Sequence, residues 1–109
     1  MSHLQTPAPL RRFLRHGTLP QLAALEAVVR LGSVTQAAHT LCLAQSTVSG
    51  HLHKLAEALG VCLFTAHGKR LLPTAAGLAV LQSSQDIFTT LQRCEQTLAI
   101  LRPETGRPH

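Results

Sequence analysis

The stretch "AQSTVSGHLHKLAEALG", residues 44–60, reads as one helix with two unlike halves. Val48, Leu52, Leu55 and Leu59 recur at steps of four, three and four, one apolar stripe along a helix. Around Val48 the first half is built from Gln45, Ser46, Thr47, Ser49 and Gly50, all small or polar, several of them mediocre helix formers. One half of such a helix anchors it, and the other shows small hydrogen-bonding groups to something outside its own core.

Upstream, Thr18 and Gln21 have the spacing of a capping box, and Pro20 suits a first helical turn. Leu22, Leu25 and Val29 give a stripe, and Gly32 ends this first helix. Ser33 with Gln36 repeats the capping signature. Ala37, Ala38 and Leu41 then make a short second helix whose small residues let a neighbour approach closely. A brief turn near Leu43 leads into the quoted helix, which Gly60 terminates. Downstream, Val61, Leu63 and Phe64 are apolar and β-prone, "HGK" at 67–69 is a turn, and Leu71 and Leu72 follow, as expected of a hairpin. Residues 74–101 lack proline and hold glycine only at Gly77. There Ile87, Leu91, Cys94, Leu98 and Leu101 step by four, three, four and three, a coiled-coil-like seam. The expected organisation is a loose arm over 1–17, a small domain over 18–73, a long helix over 74–101 and a polar tail over 102–109.

A chain of 109 residues suffices for one small core, not two. No apolar run is long enough for a membrane span, and the first seventeen residues lack the pattern of a secretion signal. Three cysteines, Cys42, Cys62 and Cys94, are odd in number and far apart; they read as reduced thiols of a cytoplasmic protein, mostly engaged in packing. The net charge of +5 is unevenly placed. Arg11, Arg12 and Arg15 stand in an arm without acids, Lys69 and Arg70 stand in the hairpin, and elsewhere acids and bases balance. A basic arm and a basic hairpin suit a polyanion partner.

Helix, short helix, tight turn, helix and two-stranded hairpin form a winged helix-turn-helix plan, a mainly α fold, here followed by a long linker helix. In that plan the third helix puts its N-terminal half into the major groove of double-stranded DNA, where small polar side chains can approach base edges and phosphates. The segment His67-Gly68-Lys69-Arg70 is then the wing tip, placed to meet phosphates beside the groove.

Four segments carry a closer likeness: "GSVTQAA" opening the second helix, "AQSTVS" opening the third, "LAEALGVCLF" leading to the wing and "PTAAG" opening the linker helix. Together they resemble the DNA-binding domain of LysR-type bacterial transcriptional regulators, over roughly residues 19–101. The resemblance implies a homodimer through paired linker helices, binding to an interrupted inverted repeat, and an effector-binding domain after the linker, which is absent from this chain. Carried over by position, it implies that Gln45, Ser46, Thr47, Ser49, Gly50 and His53 face the groove. Ser33 and Thr35 would meet phosphate at the start of the second helix, and Lys54 would reach backbone at the flank. The chain departs from the family pattern in having Ala44 for a common Ser cap, Gly50 for a common Arg and Ala66 for a common Arg. The basic arm is expected to make up for the missing cations.

No Ser/His/Asp grouping, paired carboxylate or phosphate loop is visible, so the sequence does not read as an enzyme and calls for no cofactor. His51 and His53 lie two apart, hence on different helical faces, and are not expected to share a metal. One alternative function stays open: a winged-helix interaction module that pairs with other regulators through the long helix.

Overall fold

The computed structural model describes residues 17–102. Four helices and one hairpin follow in order: α1 (Thr18–Leu31), α2 (Val34–Leu41), α3 (Gln45–Leu59), β1 (Phe64–His67), β2 (Arg70–Pro73) and α4 (Ala75–Leu101). The expected arm lies outside the described residues except for Gly17, and the tail except for Arg102. No helix among the described residues is long and apolar enough to cross a membrane.

Local chemistry sets most boundaries. Gly32 takes a left-handed conformation (φ 70°) and its N–H donates to the Val28 carbonyl, closing α1. Ser33 is the extended N-cap of α2, and its Oγ accepts from the Gln36 N–H at 3.2 Å. Gly60 closes α3, with the Val61 N–H reaching back to the Ala56 carbonyl. The start of α1 differs from expectation. Gly17, left-handed at φ 64°, is the N-cap and supplies no side-chain cap, so Thr18 is already the first helical residue rather than the cap of a box with Gln21. The hairpin also begins later than expected. Val61 completes the turn after α3 and is exposed, and β1 starts at Phe64.

Two linked clusters make the core. Ala24, Ala27, Val28, Ala37, Ala38 and Val48 bring α1, α2 and α3 into close contact. Leu22, Leu25, Leu55 and Leu63 join α1 and α3 to the segment before the wing, and Val80, Leu81 and Phe88 of α4 pack against them. The buried face of α1 is wider than the Leu22–Leu25–Val29 stripe, because helices press on it from two sides: Val28 is buried and Val29 only partly. The cysteines do not pack as expected. All three are free and exposed, Cys42 in the left-handed turn after α2 and Cys94 on α4 beyond the core.

Thr74 joins the wing to the long helix. Its N–H donates to the Leu63 carbonyl at 3.0 Å and its Oγ1 donates to the Cys62 carbonyl at 2.6 Å, while the same Oγ1 accepts from the Gly77 N–H at 3.0 Å. Gly77 is buried against this joint, and a Cβ there would collide with the Leu63 carbonyl oxygen. Gly50, by contrast, has nothing within 4 Å of where its Cβ would stand. The two glycines therefore predict opposite signs for one substitution. Gly50→Ala should stabilise by up to about 1 kcal/mol through helix propensity. Gly77→Ala should destabilise by about 1–3 kcal/mol through overpacking against a fixed backbone. Urea unfolding of the two variants beside the parent checks both signs.

Candidate nucleic-acid interface

At 100° per residue, the direction opposite the Val48, Leu52, Leu55 and Leu59 stripe of α3 is occupied by Ser46, Gly50, His53 and Glu57, with Ser49 and Lys54 on its two sides. Val48 and Leu55 are buried, whereas Gln45, Ser46, Thr47, Ser49, His53 and Lys54 are all exposed. One buried residue thus holds the first turn and leaves the rest of it facing outward. No side chain caps that turn, because Ala44 is the N-cap. The missing Cβ at Gly50 leaves a shallow place on the face where another surface can come close to the helix backbone.

The second group lies where α1 turns into α2. Thr35 is exposed on the first turn of α2. Ser33 is half-buried and its hydroxyl is engaged as the helix cap, which fixes where the turn sits. The third group is the hairpin. His67 ends β1 and pairs with Arg70 at the start of β2, so the turn itself is Gly68-Lys69, with Gly68 left-handed at φ 61°. Lys69 stands at the wing tip as expected. Arg70 does not: its guanidinium lies against Gly32, in the turn between α1 and α2.

Glu57 belongs to the same face and went unnoticed among balanced charges. Its Oε2 is 3.8 Å from His53 Nε2, four residues earlier. The i, i+4 spacing from His53 was the available signal. An acid here sets a limit to the face that a polyanion can occupy, since everything toward the N-terminus from His53 to Gln45 lacks negative charge. Among the described residues no three His, Cys, Asp or Glu side chains gather in a way that could hold a metal ion.

The face, the turn and the wing are the parts of a helix-turn-helix reader with a wing beside it, and relatives carry the same plan. Residues 19–78 match the model of the bacterial regulatory helix-turn-helix proteins of the lysR family. The HTH-type transcriptional activator CmpR of Synechocystis is 37% identical over 89 residues, which are 82% of this chain and 29% of that protein. The RuBisCO operon transcriptional regulator of Acidithiobacillus ferrooxidans is 39% identical over the same shares of the two chains. The chain thus spans about three-tenths of the length of these relatives. Among solved structures, the BenM DNA-binding domain in complex with benA site 1 DNA superposes with a TM-score of 0.73 at 26% identity, covering 77% of this chain and 98% of that one. The CbnR DNA-binding domain bound to DNA gives 0.71 at 28% identity, with the same coverage. A family match over most of the folded part, relatives above 35% identity and the shared winged architecture lead to one conclusion: this chain carries the helix-turn-helix DNA-binding domain of the LysR family of bacterial transcriptional regulators.

Proposed function

We propose that the domain binds operator DNA as a homodimer, in the cytoplasm, as the DNA-reading part of a transcriptional regulator. The observation that carries this is the outward face of α3: Gln45, Ser46, Thr47 and Ser49 exposed around the single anchor Val48. In this reading Gln45, Ser46, Thr47, Ser49, Gly50 and His53 meet base edges and nearby phosphates, Ser33, Thr35 and Lys54 meet backbone, and His67 and Lys69 meet phosphate from the wing. An interaction module without DNA would lack the steep salt dependence that several phosphate contacts impose, so a salt titration on random duplex separates the two readings.

Pairing rests on α4. Gly77, Val80 and Ser84 begin a run of steps of three and four that continues through Ile87, Leu91, Cys94, Leu98 and Leu101. Its first part is covered by the domain's own core: Gly77 and Ser84 are buried and Val80 packs on the second cluster. Its second part is bare, with Ile87, Leu91, Leu98 and Leu101 exposed by 39%, 43%, 45% and 71%. An antiparallel pair centred near Leu91 would set the bare leucines of each chain beside Val80 and Ser83 of the other. There a groove of about 730 Å³, walled by Leu19, Leu59 and Ile87, stands open to receive them. Full burial of an exposed leucine contributes roughly 1.5–3 kcal/mol, and pairing gains the share of it that matches the area still exposed. A two-fold axis through this pair sets two recognition helices toward an inverted repeat.

Base reading and phosphate contact are expected to separate by substitution. Ser49→Ala should weaken binding to a selected operator by about 1 kcal/mol and leave random duplex almost unchanged; equal losses on both would remove Ser49 from the readers. Gly50→Arg should tighten binding and steepen the logarithmic salt slope by about 0.9, measured by anisotropy across a salt series. An unchanged slope would place residue 50 away from phosphate.

For the dimer, Leu91→Asp would bury a charge at the centre of the pair, which is prohibitive unless the pair opens. Sedimentation should then report a monomer mass, and operator affinity should fall with it. A variant that keeps both the dimer mass and the affinity would rule out the α4 seam as the interface.

A further inference from the structure

The sequence places Arg70 beside Lys69 at the wing tip, but the backbone sends it elsewhere. The Leu71 N–H donates to the Gly32 carbonyl at 3.2 Å, which ties β2 to the turn between α1 and α2. From the start of that strand the Arg70 side chain runs back across the turn. Its Nη2, Cζ and Nε lie 2.9, 3.3 and 3.3 Å from the position a Cβ on Gly32 would take. Gly32 is left-handed at φ 70° and has no side chain to fill that space, so the guanidinium comes down onto the backbone. Among the described residues no acid pairs with Arg70; the two ion pairs there are Arg30 with Glu26 and His53 with Glu57. A located guanidinium without an acidic partner among the described residues therefore lies in the turn that leads into α2, whose first turn carries Thr35, and not at the wing tip with Lys69.

We infer that Arg70 is a phosphate contact of the α1–α2 turn: it serves the same DNA phosphate as Thr35, and Lys69 serves a separate phosphate at the wing tip. The planar fork of a guanidinium suits two phosphate oxygens at once. Resting on a glycine backbone restricts its motion before DNA arrives, which lowers the ordering cost of the contact. The hydrogen bond from Leu71 gives the contact a second effect, because a phosphate held by Arg70 and Thr35 is held by β2 and α2 together and fixes the wing against the helix-turn-helix. The inference rests on the DNA-binding reading above.

The test is a set of operator duplexes, each with one neutral methylphosphonate, bound by the parent chain and by Arg70→Ala, Thr35→Ala and Lys69→Ala. A phosphate whose neutralisation no longer weakens a variant is the phosphate its missing side chain touched. The expected result is one shared phosphate for Arg70→Ala and Thr35→Ala and a different one for Lys69→Ala. Arg70→Ala should also lower the salt slope by about 0.9 with an unchanged melting temperature. The inference is overturned if Arg70→Ala shares its phosphate with Lys69→Ala, or if it lowers the melting temperature and leaves the slope alone, as a purely structural brace would. A parent chain whose binding to duplex is insensitive to salt would instead overturn the DNA reading itself.

Discussion

Close approach of three helices is the constraint on which the other features depend. Ala24 and Ala27 of α1 meet Ala37 and Ala38 of α2 in a cluster where nothing larger than valine is fully buried. Methyl groups at the contact let backbones come near, and interiors pack densely enough that an added methylene there is felt. The short distance has a consequence for α3. With α2 this close, Val48 is the one residue of the first turn of α3 that reaches the cluster, Leu52 following a turn later, and the side chains around Val48 are free of any packing duty. The polar face is thus a product of small residues elsewhere, and larger ones at 37 or 38 would tilt it before they touched DNA.

The second dependence runs through Thr74. One side chain caps α4 and holds the carbonyl of Cys62, while its N–H holds that of Leu63. Leu63 is itself buried with Leu22, Leu25 and Leu55. The wing, the core and the long helix are therefore referred to one point, and Gly77 is the residue that lets them come that close. Small domains have little apolar area to spare, so a short polar joint that satisfies two loop carbonyls at once is an economical way to fix three elements together.

Much of this was legible in the sequence, where the governing chemistry is local. Ser33, Gly32 and Gly60 announce helix ends because caps act within four residues, and the Val48-to-Leu59 stripe announces the buried side of α3. Legibility failed where direction depends on distant groups. The burial of Val28 over Val29 follows from two helices pressing on α1, which periodicity in one helix does not contain. Cys42 and Cys94 look like packing residues by type, yet one sits in a left-handed turn and the other beyond the end of the core. Arg70 looks like a wing-tip cation by position; its direction comes from a hydrogen bond between residues thirty-nine apart in the chain, Leu71 and Gly32. Glu57 was readable, being four residues from His53, but a charge balance taken over a whole segment hides on which face each charge lies.

Because α4 is a single uninterrupted helix of 27 residues that is seated at one end, it behaves mechanically as a lever. Its length is roughly 40 Å at 1.5 Å per residue. The core grips it only as far as Phe88, and everything after that is free span. A change of about 5° in the seating at Thr74 would displace the far end by about 3.5 Å over such a length. In a pair of these domains the same lever acts twice, with opposite senses about the two-fold axis. In the proposed pair, small events at the base of the wing would change the separation of two recognition helices, and that separation has to match the fixed pitch of a DNA duplex.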